Sequence, residues 1–204
     1  GEGDGTATIN LALEGPFASD LDVTLGVNVA STAVENDDYT LATTTVTFDA
    51  GETTASFEVT IIDNALDQDD RTLVLEINPG AGYVAGATAL HTLTIEDNDD
   101  PAGIAPTTGT VVVSETDNQA IVAVGLSEPS GKTITIDYAT QDDTATAGVN
   151  YVATSGTLTF DPGETSQQIT INLIDSSTRS ADTVEFSVVL SNATNADLDP
   201  QDSE

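Results

Sequence analysis

Leu21-Asp22-Val23-Thr24-Leu25-Gly26-Val27-Asn28-Val29 puts every large apolar side chain on one parity and Asp, Thr, Gly or Asn on the other. Successive side chains of extended backbone point to opposite sides, so a period of two marks a strand with one buried face. The pattern recurs outward from this stretch. Ala7, Ile9, Leu11 and Leu13 share a parity, as do Ala55, Phe57, Val59 and Ile61, then Leu73, Leu75 and Ile77. The second half repeats it in Ala120, Val122, Val124 and Leu126; Ile134, Ile136 and Tyr138; Ile169, Ile171 and Leu173; and Val184, Phe186, Val188 and Leu190. No 3.6-residue period is sustained anywhere. Turn formers separate the runs, as in Asp49-Ala50-Gly51-Glu52, Pro129-Ser130-Gly131-Lys132 and Asp161-Pro162-Gly163-Glu164. Many short strands at this spacing predict an antiparallel sandwich or barrel.

Composition narrows the function. Among 204 residues, 35 are acidic and 3 are Lys or Arg, a net charge of −32. Nucleic-acid binding needs clustered cations to displace phosphate counterions, and adhesion to anionic lipid needs them too; both are excluded. With no Cys, neither a disulfide framework nor a thiolate zinc site can form. The single His, His91, leaves little for histidine-based metal or acid–base chemistry, and reads as a partly buried structural residue. No run approaches the roughly 18 apolar residues of a membrane span, so direct membrane insertion is not expected. Starting at Gly1 with no signal peptide, the chain reads as a fragment. Its cores must come from Val, Ile, Leu, Ala and a few Phe and Tyr, which suit half-buried strands.

The chain repeats itself. Thr47-Phe48-Asp49-Ala50-Gly51-Glu52-Thr53 recurs as Thr159-Phe160-Asp161-Pro162-Gly163-Glu164-Thr165, Asp38-Tyr39 as Asn150-Tyr151, and Ile62-Asp63 as Ile174-Asp175, each 112 residues later. Two tandem domains are therefore expected, 1–100 and 101–204, joined through Asp97-Asn98-Asp99-Asp100-Pro101-Ala102-Gly103. They read as cut out of phase with the repeat. The second has a short strand, Thr110-Val111-Val112-Val113-Ser114-Glu115, whose counterpart is missing before Glu2. The first closes on Leu93-Thr94-Ile95-Glu96-Asp97-Asn98-Asp99, which is missing from the second.

Acids alternating with apolar residues, such as Asp22, Glu58 and Glu76, read as solvated strand faces. The loop clusters do not. Asp37 and Asp38, then Asp63, Asp67, Asp69 and Asp70, then Asp97, Asp99 and Asp100 fall in connections that emerge at one end of an antiparallel sandwich, where Glu2 also lies. Like charges 4 Å apart repel by roughly 4 kcal/mol at an effective dielectric of about 20. Calcium answers that cost, since it takes 6–8 oxygen ligands in tolerant geometry, whereas magnesium keeps its waters.

Asp142-Asp143-Thr144-Ala145-Thr146-Ala147-Gly148-Val149-Asn150-Tyr151, the two Phe-Asp-X-Gly-Glu-Thr turns, Ile61-Ile62-Asp63-Asn64 and Thr94-Ile95-Glu96-Asp97-Asn98-Asp99 together resemble the Calx-beta domain of sodium–calcium exchangers, an integrin subunit and bacterial surface proteins. The resemblance implies two tandem immunoglobulin-like antiparallel β-sandwiches of seven strands, each with calcium at one pole. It assigns ligands in the first domain to Glu2, Asp38, Asp63, Asp97 and Asp99. Asn64 and Asn98 stand in for acids there, Leu66 offers a backbone carbonyl, and Asp67, Asp69 and Asp70 substitute for the usual acids at Gln68 and Arg71. In the second domain it leaves a weaker set, Glu115, Asn150, Asp175 and Asp182, with Ser176, Ser177, Thr178 and Arg179 in place of the acid run.

The expectation is thus a calcium-binding spacer or adhesive stalk of a secreted or cell-surface protein, bacterial in origin, whose partners are calcium and neighbouring repeats or another surface protein. No enzyme is expected: the paired carboxylates lie in metal-like clusters, and there is no Trp to stack a sugar. The alternatives are a cytosolic calcium-sensing regulatory segment of a membrane transporter, and an acidic halophilic module without a specific metal.

Overall fold

The computed structural model describes residues 1–175 and 183–198. It is all-β, with two short 3-10 turns and no α-helix among the described residues. The chain divides into two compact units, Gly1–Ala65 with Asp69–Asp99, and Leu66–Gln68 with Asp100–Glu204.

The first unit holds β1 (Thr6–Ala12), β2 (Leu21–Val27), β3 (Tyr39–Leu41), β4 (Thr45–Phe48), β5 (Thr54–Ile61), β6 (Arg71–Ile77) and β7 (Leu90–Ile95). They form two sheets, β1-β5-β3 and β4-β2-β6-β7. The alternating residues that face inward meet between the sheets: Ile9 and Phe57 are cross-strand partners, and Leu21 sits opposite Phe48. Val59 and Leu73 are 0% exposed. The turn Asp49–Glu52 joins β4 to β5 and so carries the chain from one sheet to the other. Gly51 takes φ 89° there, a left-handed angle that costs glycine nothing.

The second unit holds β8 (Gly103–Pro106), β9 (Gln119–Leu126), β10 (Ile134–Asp142), β11 (Ser155–Phe160), β12 (Ser166–Asn172), β13 (Phe186–Thr194) and β14 (Asp197–Leu198). Its sheets are β11-β10-β13 and β12-β9-β8-β14. Phe160, Ile134 and Ile171 fill the core. Gly163 repeats the left-handed turn at φ 85°. Among the described residues every pairing of its strands is antiparallel except β14 with β8, which runs parallel for two residues.

Three local expectations are corrected. Thr110–Glu115 does not form a strand. β8 instead takes the edge of β9, with Ile104 opposite Leu126, and the chain then enters a 3-10 turn at Glu115–Asp117. Three consecutive valines favour extended backbone, but an unpaired segment gains no ladder bonds, and Val112 is 87% exposed. His91 is exposed on β7, an edge strand, rather than partly buried. Val29 lies past the end of β2, fully exposed.

Candidate functional site

Strand registers alone bring the first unit's acids to one end. Thr6, at the start of β1, pairs with Thr60 near the end of β5, and Tyr39, at the start of β3, pairs with Ile61. Arg71, at the start of β6, pairs with Ile95, at the end of β7. Glu2, Asp38, Asp63, Asp70 and Asp97 flank those five strand ends, and all of them therefore share a pole. The turn Glu2–Asp4 closes across it: the Glu2 amide donates to the Glu96 carbonyl at 2.9 Å, linking the lead-in to one sheet with the exit from the other.

At the centre is Glu2, only 2% exposed. Carboxylate oxygens of Glu2, Asp97 and Asp99 all lie within 4.8 Å of one another. Asn64 donates its side-chain amide to both Glu2 oxygens, at 3.2 and 3.1 Å. Burial pushes the Glu2 carboxyl above the ordinary value of 4.5, and the charges of Asp97, Asp99 and Asp38 push it further; the bond from Asn64 opposes them. Asp38 is itself 5% exposed. Its Oδ2 accepts from the Val34 amide at 2.6 Å, and its carbonyl accepts from the Ile62 amide at 3.0 Å. Asp38 thus closes its own turn with one oxygen and keeps a second carboxylate oxygen for other work. Around this centre, Asn98 donates to Asp63 Oδ1 at 3.2 Å, and Asp70 Oδ1 accepts from the Asp97 amide at 3.1 Å.

Three other sequence-predicted residues, Leu66, Asp67 and Asp69, lie in the connection between β5 and β6 that also carries Asp63 and Asp70. Asp69 is exposed in the loop before β6. Leu66 and Asp67 group with the second unit. Asp67 Oδ1 accepts from Lys132 Nζ at 2.6 Å, and the Asp67 carbonyl accepts from the Gly131 amide at 3.0 Å. That carboxylate is neutralised by a lysine.

In the second unit, Glu115 and Asp175 are exposed, and Asp182 lies outside the described residues. Asn150 sits where Asp38 does and closes the same turn: its Oδ1 accepts from the Thr146 amide at 2.9 Å, and its carbonyl accepts from the Ile174 amide at 2.9 Å. An asparagine has one side-chain oxygen. With that oxygen already accepting from the Thr146 amide, Asn150 keeps one neutral lone pair where Asp38 keeps a second, charged carboxylate oxygen, which makes it the poorer cation ligand.

The first unit's donors fit calcium. They are hard oxygens, mostly carboxylate. Two oxygens on one calcium, each at 2.3–2.6 Å, can be no more than about 5 Å apart, and the Glu2–Asp97–Asp99 spacing meets that bound. Sequence reasoning missed the backbone contributions. Gly5, at φ 76°, makes the left-handed turn after Asp4 that follows Glu2, and its carbonyl accepts from the Ile61 amide at 3.0 Å. The glycines at 1, 3 and 5 were the visible signal.

The sequence matches the Calx-beta domain over residues 1–99 and again over 97–204. Sodium/calcium exchanger 1 of Canis lupus familiaris is 35% identical over 94 residues, which are 44% of this chain and 10% of that protein. Sodium/calcium exchanger 3 of Homo sapiens is 43% identical over 44 residues, 22% of this chain and 5% of that protein. The chain thus spans a tenth or less of these relatives. Among solved structures, calcium binding domain CBD12 of CALX1.1 is similar at 22% identity and TM-score 0.45, covering 98% of this chain and 78% of that one. The apo-form Calx CBD1 domain is similar at 27% identity and TM-score 0.48, covering 50% of this chain and 91% of that one.

Proposed function

Because the chain belongs to the Calx-beta family, as two tandem domains of it, we propose that it is a calcium-binding module whose working site is the pole of the first domain. The observation that carries this reading is Glu2, a buried carboxylate held against Asp97 and Asp99. Glu2, Asp38, Asp97 and Asp99 would hold the ion, with Asp63 and Asp70 at the rim. Bound calcium supplies the positive charge that offsets their mutual repulsion. The chain's own part is to present oxygens from five strand ends and to fix Asp38 and Glu2 by backbone bonds, so that a ligated pole ties both sheets together. The second domain, with Asn150 in the Asp38 position, contributes little to metal binding.

The biological setting we propose is a secreted or cell-surface protein, in which these domains form a calcium-stiffened spacer or adhesive stalk without enzymatic activity. Support comes from the strong acidity and the absence of Cys. A second reading, a calcium-sensing regulatory segment of a membrane transporter, is favoured by the 35% identity to an exchanger over 94 residues. Both need calcium. Thermal melting in millimolar calcium against sodium at matched ionic strength tests them together: a rise specific to calcium supports the site, and equal rises reduce it to screening of an acidic surface.

A further inference from the structure

Two asparagines at the first domain's pole serve its carboxylates as donors. Asn64, just past the end of β5, gives its Nδ2 to both Glu2 oxygens, at 3.2 and 3.1 Å. Asn98, just past the end of β7, gives its Nδ2 to Asp63 Oδ1 at 3.2 Å. Chemistry dictates this orientation: an ionised carboxylate only accepts, so an amide meets it nitrogen first. The turn Glu2–Asp4 lies against both side chains. Glu2 accepts from Asn64, and Gly3 leaves room for Asn98, because a Cβ at Gly3 would stand 3.1 Å from the Asn98 Nδ2. In this orientation each amide turns hydrogens, not lone pairs, toward the acids.

A side-chain amide is nearly symmetric about its Cβ–Cγ bond. Half a turn puts Oδ1 where Nδ2 stood and changes a donor into a ligand. For Asn64 that place is 3.2 and 3.1 Å from the two Glu2 oxygens, inside the roughly 5 Å that separates two ligands of one calcium at most. For Asn98 it is 3.2 Å from Asp63 Oδ1. Oxygen facing oxygen at that range is repulsive unless a cation lies between them. Amide hydrogens facing a cation are repulsive as well. Each setting therefore suits one charge state: the donor setting suits carboxylates alone, and the oxygen setting suits carboxylates sharing an ion. A ligand that favours one of two settings shifts the population toward it.

We propose that Asn64 and Asn98 set the calcium affinity of the pole: their amides hold Glu2 and Asp63 as internal counter-charges, and turn over to present oxygen when calcium enters. This role rests on the calcium reading of the pole and adds a switch to it. Calcium has to displace the bonds to Glu2 and Asp63 before it gains the two oxygens, so the amides weaken its binding. The same bonds keep the acidic pole assembled when calcium is scarce.

The test follows the side-chain amides of the whole native chain by NMR, first in chelator and then through a calcium titration at constant ionic strength. In chelator the Asn64 and Asn98 Nδ2 protons are expected downfield, as donors to carboxylates. Saturating calcium should return them toward solvated positions and move both Cγ signals, with the same midpoint as the Asp97 and Asp99 backbone amides. Asn64→Asp exchanges the donor for a charged oxygen. The Tm of its first domain in chelator should fall by about 5 °C or more, and its half-saturating calcium concentration should fall about tenfold. Side-chain signals that stay put while Asp97 and Asp99 shift saturably would overturn the switch and leave the calcium site standing. So would an Asn64→Asp chain whose Tm in chelator equals or exceeds the native value. A native chain whose backbone amides show no saturable response to calcium would overturn the calcium reading, and the switch with it.

Discussion

Glu2→Gln separates repulsion from ligation in a single substitution. Without metal, Glu2 faces Asp97 and Asp99 with oxygens within 4.8 Å. At an effective dielectric of about 20, each such pair repels by about 3.5 kcal/mol before the side chains relax. The neutral amide removes that term. Its oxygen can still accept from Asn64, although a bond to a neutral acceptor is weaker by about 1 kcal/mol than one to a carboxylate. Repulsion is the larger effect, so after relaxation and screening the metal-free chain should gain about 1–2 kcal/mol. For a domain of this size that raises Tm by about 5 °C or more. In calcium the substitution costs a central ligand. The native chain at 100 times its dissociation constant gains about 2.7 kcal/mol; a variant weakened on the order of 100-fold gains only about 0.4 kcal/mol at the same concentration. Differential scanning calorimetry with chelator and with calcium reads both numbers. A variant with the native metal-free Tm and the native calcium increment would refute the placement of Glu2 at the centre.

Four further outcomes follow from the same geometry. In chelator, the first domain should lose stability as pH rises: a carboxyl held above its ordinary value contributes stability that is fully present below about 4.5 and is lost as pH passes through the raised value, readable by urea titration across pH 4–7. Asn150→Asp should restore an oxygen without creating a calcium site, because Glu115 and Asp175 remain exposed; calorimetric titration should show no added stoichiometry. Leu75→Ala should cost about 2–5 kcal/mol in denaturant titration, whereas Val188→Ala, at the half-covered position whose register on β10 matches that of Leu75 on β2, should cost less than about 1.5 kcal/mol. Saturating calcium should narrow the distribution of dimensions of the native chain in small-angle scattering and should do so less in Asp97→Ala; an unchanged native profile would remove the mechanical role.

The strands were readable because most of their core residues obey the two-residue period without help from distant parts of the chain; Val74, buried between Leu73 and Leu75, is an exception. Leu21, Val23 and Leu25 are all buried, as their parity requires. The 112-residue repeat likewise carried the two-fold organisation. Val111–Val113 misled because propensity speaks for one segment, while a strand needs a neighbour. His91 misled for a related reason: its parity was read without knowing that β7 is an edge. At the pole, antiparallel alternation was enough to gather Glu2, Asp97 and Asp99. It could not show that Asp67 meets Lys132, 65 residues away in sequence. Nor could it show that Asn150 spends its one oxygen on a backbone amide, since that depends on the turn's hydrogen bonds rather than on spacing.

The claim that one pole of this chain is a calcium site is tested most directly by an NMR titration with calcium at constant ionic strength, set against the same titration with sodium. Saturable shifts are expected at Glu2, Val34, Asp38, Asn64, Asp97 and Asp99, at millimolar calcium or below, with Thr146, Asn150 and Glu115 nearly unmoved. Shifts of equal size at the two poles, or non-saturating shifts that sodium reproduces, would contradict it.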